Sequence, residues 1–227
     1  MVCLLIHECI WKHSIWDSQR HTRRSGNLDF ISLTANKLIK IASHIFENYD
    51  VKYISAFALS KNNLNRSKII ISTIKNVLLD FLNKYEDNYN LNFRIKFIGD
   101  LNFLSKKIRD KIKLIENKNV TSNNKLIILI NYSGQSDITN SISNLNKFTK
   151  INELGFSKIL NTKNLPDPDL LIRTGGFQRL SNFMLYQLAF TELLFTKKLW
   201  PELNNTDIDK FIKNYHRIDR KFGLWHR

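Results

Sequence analysis

Val51-Lys52-Tyr53-Ile54-Ser55-Ala56-Phe57-Ala58-Leu59 is a short apolar run of β type, and it directly follows a segment of a different period. From Asp29 to Phe46, apolar Ile31, Ala35, Leu38, Ala42 and Ile45 recur at steps of three and four, the spacing of an amphipathic helix. A helix feeding a strand is the unit from which the rest of the chain can be read. Ser67 can cap a second helix carrying Ile70, Ile74, Val77, Leu78 and Phe81 on one side, and Phe93 to Ile98 then reads as a strand ended by Gly99-Asp100. Ser105 to Glu116 is helical with Ile108, Ile112 and Ile115, Leu126 to Asn131 is a strand, and Asp137 to Phe148 is helical. Leu170 to Arg173 reads as a strand and Asn182 to Leu194 as a largely apolar helix. This alternation predicts an α/β fold, a central and mostly parallel sheet flanked by helices, with functional residues beyond the carboxyl ends of the strands.

The 227 residues fit one such unit, residues 1–227, with residues 1–28 standing apart as divergent. With 43% hydrophobic and 24% charged residues the chain can bury a core, which excludes a disordered polymer. Thirty-five Lys and Arg against 20 Asp and Glu give a net charge of +15, which favours anionic partners without choosing among them. Lys and Asn recur throughout, as in Lys61-Asn62-Asn63, so part of the excess reflects composition. Two cysteines, Cys3 and Cys9, cannot build a multi-bridge framework, and the spacing of Cys3, His7, Cys9 and His13 matches no zinc template. The apolar run Val2 to Ile6 is too short for a secretory core, and the expected location is the cytoplasm.

The stretch that carries chemistry is Pro168-Asp169-Leu170-Leu171-Ile172-Arg173-Thr174-Gly175-Gly176-Phe177-Gln178-Arg179-Leu180-Ser181-Asn182-Phe183. A buried strand ends in Arg173, two glycines permit close backbone approach, and Arg179 and Ser181 stand at the expected start of the next helix. Two guanidinium forks, free N–H groups at a helix start and the Ser181 hydroxyl would form an oxyanion cradle. The plain alternative is a glycine turn with two surface arginines.

The run from Asp169 to Leu203, Asp-Leu-Leu-Ile-Arg-Thr-Gly-Gly, Arg-Leu-Ser-Asn-Phe, Leu-Tyr-Gln-Leu-Ala-Phe-Thr-Glu-Leu-Leu-Phe and Leu-Trp-Pro-Glu-Leu, resembles the cis-prenyltransferases, the undecaprenyl diphosphate synthase family. Ala56 to Ser60 with Asn63 and Arg66, Ile98-Gly99-Asp100, Asn131 to Gly134 with Asp137-Ile138, and Arg220 to Gly223 match in the same order. The resemblance implies a fold with an apolar tunnel for the growing chain, whose wall would include Ile70, Ile74, Val77 and Phe81. It implies cis condensation of isopentenyl diphosphate onto an allylic, farnesyl-type diphosphate, with Mg2+ as cofactor. It also implies a homodimer and transient contact with a membrane surface for product release. By the same resemblance Arg173, Arg179, Leu180 and Ser181 bind the isopentenyl diphosphate head, Glu192 helps with the metal, and Ser60, Asn63 and Arg66 line the site. The asparagine is implicated in proton transfer.

The family's first motif, an apolar strand followed by Asp-Gly-Asn, is not repeated. Ser14 to His21 keeps Asp17 as catalytic and metal-binding carboxylate and Arg20 for the primer diphosphate, while a second register places Val2 to Ile6 on the strand and offers His7-Glu8. The family's Gly-His motif is also missing near Ser25 to Leu28; Phe177 replaces a usual Glu, and Leu64 an aromatic residue. Three accounts stay open: a divergent enzyme, a non-catalytic partner subunit, or a degraded gene whose first codons are misread. A basic nucleic-acid-binding protein is the alternative of a different class, and it lacks any recognition motif.

Overall fold

The computed structural model describes residues 2–7, 30–64, 68–88, 91–143, 145 and 152–220. Six strands, β1 (Val2–His7), β2 (Val51–Ser60), β3 (Arg94–Ile98), β4 (Lys125–Tyr132), β5 (Leu170–Arg173) and β6 (Glu192–Phe195), form one sheet in the order β3-β4-β2-β1-β5-β6. Every pairing in it is parallel, as the alternation of periods predicts. The helices are α1 (Phe30–Asn48), α2 (Lys68–Asn88), α3 (Lys106–Glu116), α4 (Gly134–Ser143), α5 (Glu153–Ser157) and α6 (Asn205–Tyr215).

Strand burial follows position in the sheet. Ile54 to Leu59 of β2 and Leu126 to Tyr132 of β4 are buried without interruption, because a parallel strand inside the sheet is covered on both faces. Successive residues go to opposite faces: Ala56, Ala58, Leu126, Ile128 and Ile172 pack with α1, α2, α3 and α6, while Phe57, Ile127, Leu129 and Leu171 pack with Phe183, Met184 and Leu188. On the second face, Phe57 stacks on Phe183 at 4.4 Å between ring centres. The outermost strand β6 alternates half-buried and exposed residues, leaving Leu193 and Phe195 exposed.

Caps set several helix starts. Ser105 Oγ accepts from the Ile108 N–H and Asn152 Oδ1 from the Gly155 N–H, while Asn204 and Asp207 form a reciprocal capping box. The Ser67 cap predicted for α2 lies outside the described residues. No helix among the described residues is long and apolar enough to cross a membrane.

One expected element is corrected. Residues 182–194 are not a helix: a series of turns runs to Phe190, and Glu192–Phe195 is strand β6. Ser181, Asn182 and Met184 have φ of 50°, 64° and 37°, which a right-handed helix does not contain. The Asn182 carbonyl accepts from the Gly134 N–H at 2.8 Å, at the start of α4, instead of closing a helical turn. Further on, the Glu192 N–H donates to Asp169 O and the Thr196 N–H to Arg173 O, so pairing at the sheet edge claims the apolar run. The helix predicted over Asp137 to Phe148 is seen as Gly134–Ser143.

Of the proposed tunnel wall, Ile74, Val77 and Phe81 are buried in the main core, and the side chain of Ile70 lies outside the described part. Between α1 and α2, beside Val77 and Phe81, the narrow crevice also lined by Ala35, Asn36 and Lys84 leaves no room for a water molecule. In the described residues this face is therefore packed as core, the plainer account of its apolar spacing.

Candidate active site

The topology marks one place on the sheet. From β1 the chain crosses to β2 on one side, and from β5 it passes to β6 on the other, so the connections part above the β1–β5 junction. In an open parallel sheet, such a switch leaves a crevice at the carboxyl ends of the strands. There the register sets His7 beside Arg173.

Arg173 closes β5 and is buried at 4% exposure. Thr174 follows, fully buried, with Oγ1 lacking a partner among the described residues; a dry hydroxyl in that state is costly until an acceptor completes it. Gly175 and Gly176 then turn the chain with φ of 79° and 77°, a region that side chains with Cβ avoid. Both of their N–H groups are already used, Gly175 donating to Lys198 O at 2.8 Å and Gly176 to Thr196 O at 2.9 Å. This corrects the expectation of free amides at a helix start: no helix begins here, and the amides tie the turn to the chain beyond β6. The positive groups of the loop are the guanidiniums. Arg179 is exposed, and its Cζ lies 4.3 Å from the centre of the Phe177 ring; Arg173 Cζ lies 5.7 Å from the same centre.

Ser181 is exposed, and Leu180 is half-buried against the second core cluster. Asn182 fastens this loop to its neighbour: Oδ1 accepts from the Gln135 N–H at 2.8 Å and Nδ2 donates to Ser133 Oγ at 2.8 Å. The neighbouring strand ends are equally constrained. Gly99 has φ of 128°, and a Cβ there would fall 1.9 Å from Ile130 O, so only glycine fits. Asn131 Nδ2 donates to Asp100 O at 2.8 Å, joining the ends of β3 and β4. The Asp137 carboxyl, buried at 2% exposure, accepts from Tyr132 Oη at 2.9 Å and from the Asn161 N–H at 2.8 Å, and burial holds its pKa above the usual carboxylate value.

Ser60 ends β2 opposite Tyr132, on the same edge of the sheet as Arg173. Asn63 is the last residue of a 3-10 turn, Lys61–Asn63, its side chain outside the described part. Arg66, Asp17, Arg20 and the alternative carboxylate Glu8 lie outside the described residues. Glu192 is elsewhere: it opens β6 opposite Leu170, three positions and about 10 Å along the strand from Arg173's level. Its Oε1 stands 3.7 Å from Arg220 Nε, and Arg220 also donates to Asp169 Oδ1 at 2.6 Å. Glu192 thus forms an ion pair with an arginine. Among the described residues no group of three His, Cys, Asp or Glu could hold a metal ion. Sequence reasoning missed the part played by Phe177, noted only as a departure, and by Arg220, matched in the closing motif but without its partners Asp169 and Glu192, which lie 51 and 28 positions away with no periodicity to link them.

Comparison with known proteins finds similarity over most of the chain. Residues 17–223 match the family model described as "Putative undecaprenyl diphosphate synthase". The chain is similar to an isoprenyl transferase of Fusobacterium nucleatum, 34% identical over 92% of this chain and 90% of that protein. It is also 33% identical to a tritrans,polycis-undecaprenyl-diphosphate synthase (geranylgeranyl-diphosphate specific) of Pyrobaculum aerophilum, over 91% of this chain and 92% of the other. Among solved structures, lavandulyl diphosphate synthase from Lavandula x intermedia, in complex with dimethylallyl diphosphate, superposes with a TM-score of 0.80. It shares 28% identity, covering 98% of this chain and 97% of that one.

Proposed function

Because the chain belongs to the undecaprenyl diphosphate synthase family of prenyltransferases, we propose that it elongates prenyl chains in cis, condensing isopentenyl diphosphate with an allylic diphosphate of farnesyl type. The observation that carries this reading is the pair of guanidiniums, Arg173 and Arg179, gathered at the carboxyl edge of a parallel sheet beside the β1–β5 crevice. In the reaction the allylic C–O bond breaks and diphosphate leaves with its electron pair. The isopentenyl double bond attacks the allylic carbon, and loss of a proton from the new chain restores a double bond. Arg173 and Arg179 hold the isopentenyl diphosphate head by charge-assisted hydrogen bonds, with the exposed Ser181 as a further donor. Leu180 fixes the loop from the apolar side. Ser60, Asn63 and Arg66 complete the wall, Asn63 as the candidate for relaying the proton.

Magnesium belongs to the proposal as the counter-ion of the diphosphates, with Asp17 as the carboxylate that would meet it and Arg20 as the cation on the primer head. Glu192, paired with Arg220 and about 10 Å along the strand from Arg173's level, does not fit that place within one chain, and no step is routed through the ion. A homodimer is also proposed, on the exposed apolar edge formed by Phe190, Leu193 and Phe195 along the outermost strand. A cytoplasmic location and brief contact with a membrane surface suit an enzyme whose substrates are water-soluble diphosphates and whose product is a lipid.

The test is uptake of labelled isopentenyl diphosphate with a farnesyl diphosphate primer and Mg2+. Arg173→Ala and Arg179→Ala each remove contacts worth about 1.5–3 kcal/mol per hydrogen bond to a charged group, so KM for isopentenyl diphosphate rises at least about tenfold. Unchanged kinetics in both variants refutes the cradle. No uptake by the unaltered chain refutes the enzyme, in favour of a non-catalytic subunit or an inactive descendant.

A further inference from the structure

We infer that Phe177 is a positioning residue of the diphosphate cradle, a clamp that holds Arg173 and Arg179 together through its ring. The inference rests on the proposed function and extends it to a residue that the family pattern does not supply. Two guanidiniums that must meet one diphosphate repel each other before it arrives. Here both lie against one aromatic ring, Arg179 Cζ at 4.3 Å and Arg173 Cζ at 5.7 Å from its centre. A ring's electron-rich face attracts a cation within about 6 Å.

The manner of holding matters for the ligand. A guanidinium stacked on a ring engages through its flat face, while its N–H donors lie in the plane around its rim and are not taken up by the ring. The glutamate that the family usually carries at this position would hold the arginines by accepting from those same donors, and would bring a negative charge into an anion site. Phenylalanine holds them without occupying the donors and leaves the cradle one charge more positive. The ring is presented from a fixed turn, since Gly175 and Gly176, at φ of 79° and 77°, are pinned to Lys198 O and Thr196 O. Its 36% exposure fits a ring standing at the rim of a site, not one filling the core.

The experiment titrates the full-length chain with isopentenyl diphosphate alone, without primer, by calorimetry, beside Phe177→Leu, Phe177→Tyr, Arg173→Ala and Arg179→Ala. Leucine keeps an apolar side chain and loses the ring face; tyrosine keeps the face. Phe177→Leu should weaken binding about fivefold or more, and Phe177→Tyr should recover most of that loss. Equal affinity in Phe177→Leu and the unaltered chain, while Arg173→Ala loses tenfold, overturns the clamp and leaves the function standing. Equal losses in the leucine and tyrosine variants also overturn it, since the effect would then be one of shape. No effect of either arginine variant overturns the clamp together with the function it rests on. Should Phe177→Leu fail to fold, the unaltered chain decides: ring current from Phe177 should move the Arg179 side-chain proton resonances upfield, and unshifted resonances would overturn the stacking.

Discussion

Arg220 ties the carboxyl-terminal segment to the amino-terminal ends of β5 and β6, and its replacement by alanine measures how much of the sheet's edge depends on one side chain. Its Nη1 donates to Asp169 Oδ1 at 2.6 Å and to Tyr215 Oη at 3.0 Å, and its Nη2 donates to Phe190 O at 2.7 Å. Its Nε stands 3.7 Å from Glu192 Oε1, too long for a hydrogen bond. The Arg220 and Asp169 side chains are 17% and 22% exposed, so that contact counts as a hydrogen bond between charged groups, about 1.5–3 kcal/mol. The bonds to the tyrosine hydroxyl and the carbonyl add about 0.5–1.5 kcal/mol each, and the looser contact with Glu192 about 0–1 kcal/mol. Alanine opens the site to water, which rehydrates the abandoned carboxylates, so the net loss is about 2–4 kcal/mol and not the sum. With a melting entropy of about 2.1 cal/mol/K per residue, a chain of 227 residues has about 0.48 kcal/mol/K, and Tm should fall by about 4–8 °C. Arg220→Lys keeps the charge and loses the fork, and should give an intermediate fall. Differential scanning calorimetry near neutral pH reads both values. A Tm for Arg220→Ala within 1 °C of the unaltered chain would refute the assignment of this side chain as the fastening of the edge.

Three further outcomes follow from separate contacts. Gly99→Ala sets a Cβ 1.9 Å from Ile130 O at a φ of 128°, so it should cost about 3 kcal/mol or more; near-normal urea unfolding would mean that the β3–β4 junction can shift freely. Asp209 accepts from Tyr49 Oη at 2.7 Å and pairs with His44 Nε2 at 2.7 Å, and the hydrogen bond from His44 is the main cause of a carboxyl pKa below its ordinary 3.8. A lowered folded pKa adds stability above the unfolded value and loses it as pH falls through the folded one, so the advantage over Asp209→Asn should shrink below pH 3.8; a constant difference would refute the pairing. Finally, Asp17→Ala should abolish isopentenyl incorporation with the fold intact, as read by circular dichroism, whereas Glu8→Ala should do so if the other register is right; indifference to both excludes both carboxylates.

The parts of the fold that could be read from the sequence are those where local pattern and tertiary role agree. Val51 to Leu59 and Leu126 to Asn131 read as strands because interior parallel strands are apolar along their whole length, and both extend only a residue or two further in the structure. Leu170 to Arg173 has the same ends in both. The segment from Asn182 to Leu194 misleads for the opposite reason. Its apolar residues serve two different surfaces: Phe183, Met184 and Leu188 cover a sheet face, while Leu193 and Leu194 belong to a strand. A short apolar run does not by itself reveal such a division. In the site, Arg173, Arg179, Leu180 and Ser181 could be found because they share one loop. The ring contacts of Phe177 could not, since a turn built on two left-handed glycines has no period from which to project a side chain. The hydrogen-bonding fate of Gly175 and Gly176 also depends on Lys198 and Thr196, 23 and 20 positions away, and it changes the cradle from one built on amides to one built on guanidiniums.

The same register bears on the first motif. β1 lies between β2 and β5, pairing Leu4 with Leu170 and His7 with Arg173, so the chain leaves β1 at the level of the arginine cradle. In the family, the first-motif aspartate follows directly on an apolar strand, and Val2–His7 is such a strand at the topological switch. Glu8 is one position beyond His7 in the sequence, and His7 is the residue set level with Arg173. Asp17 follows ten positions after His7, a length that could extend over about 33–36 Å, so it reaches the cradle only if the intervening chain returns. The two registers therefore ask for different backbone paths. Glu8 requires a carboxylate at the strand end in place of the family's Asp-Gly pair; Asp17 requires a closed loop of some ten residues, whose ordering entropy must be offset by contacts of its own. A diphosphate bound between Arg173 and the first-motif carboxylate would help to offset that cost for Asp17 and has less to do for Glu8. Dependence of activity on Asp17 would thus put the first-motif carboxylate ten positions past β1 in the sequence, and dependence on Glu8 one position past it.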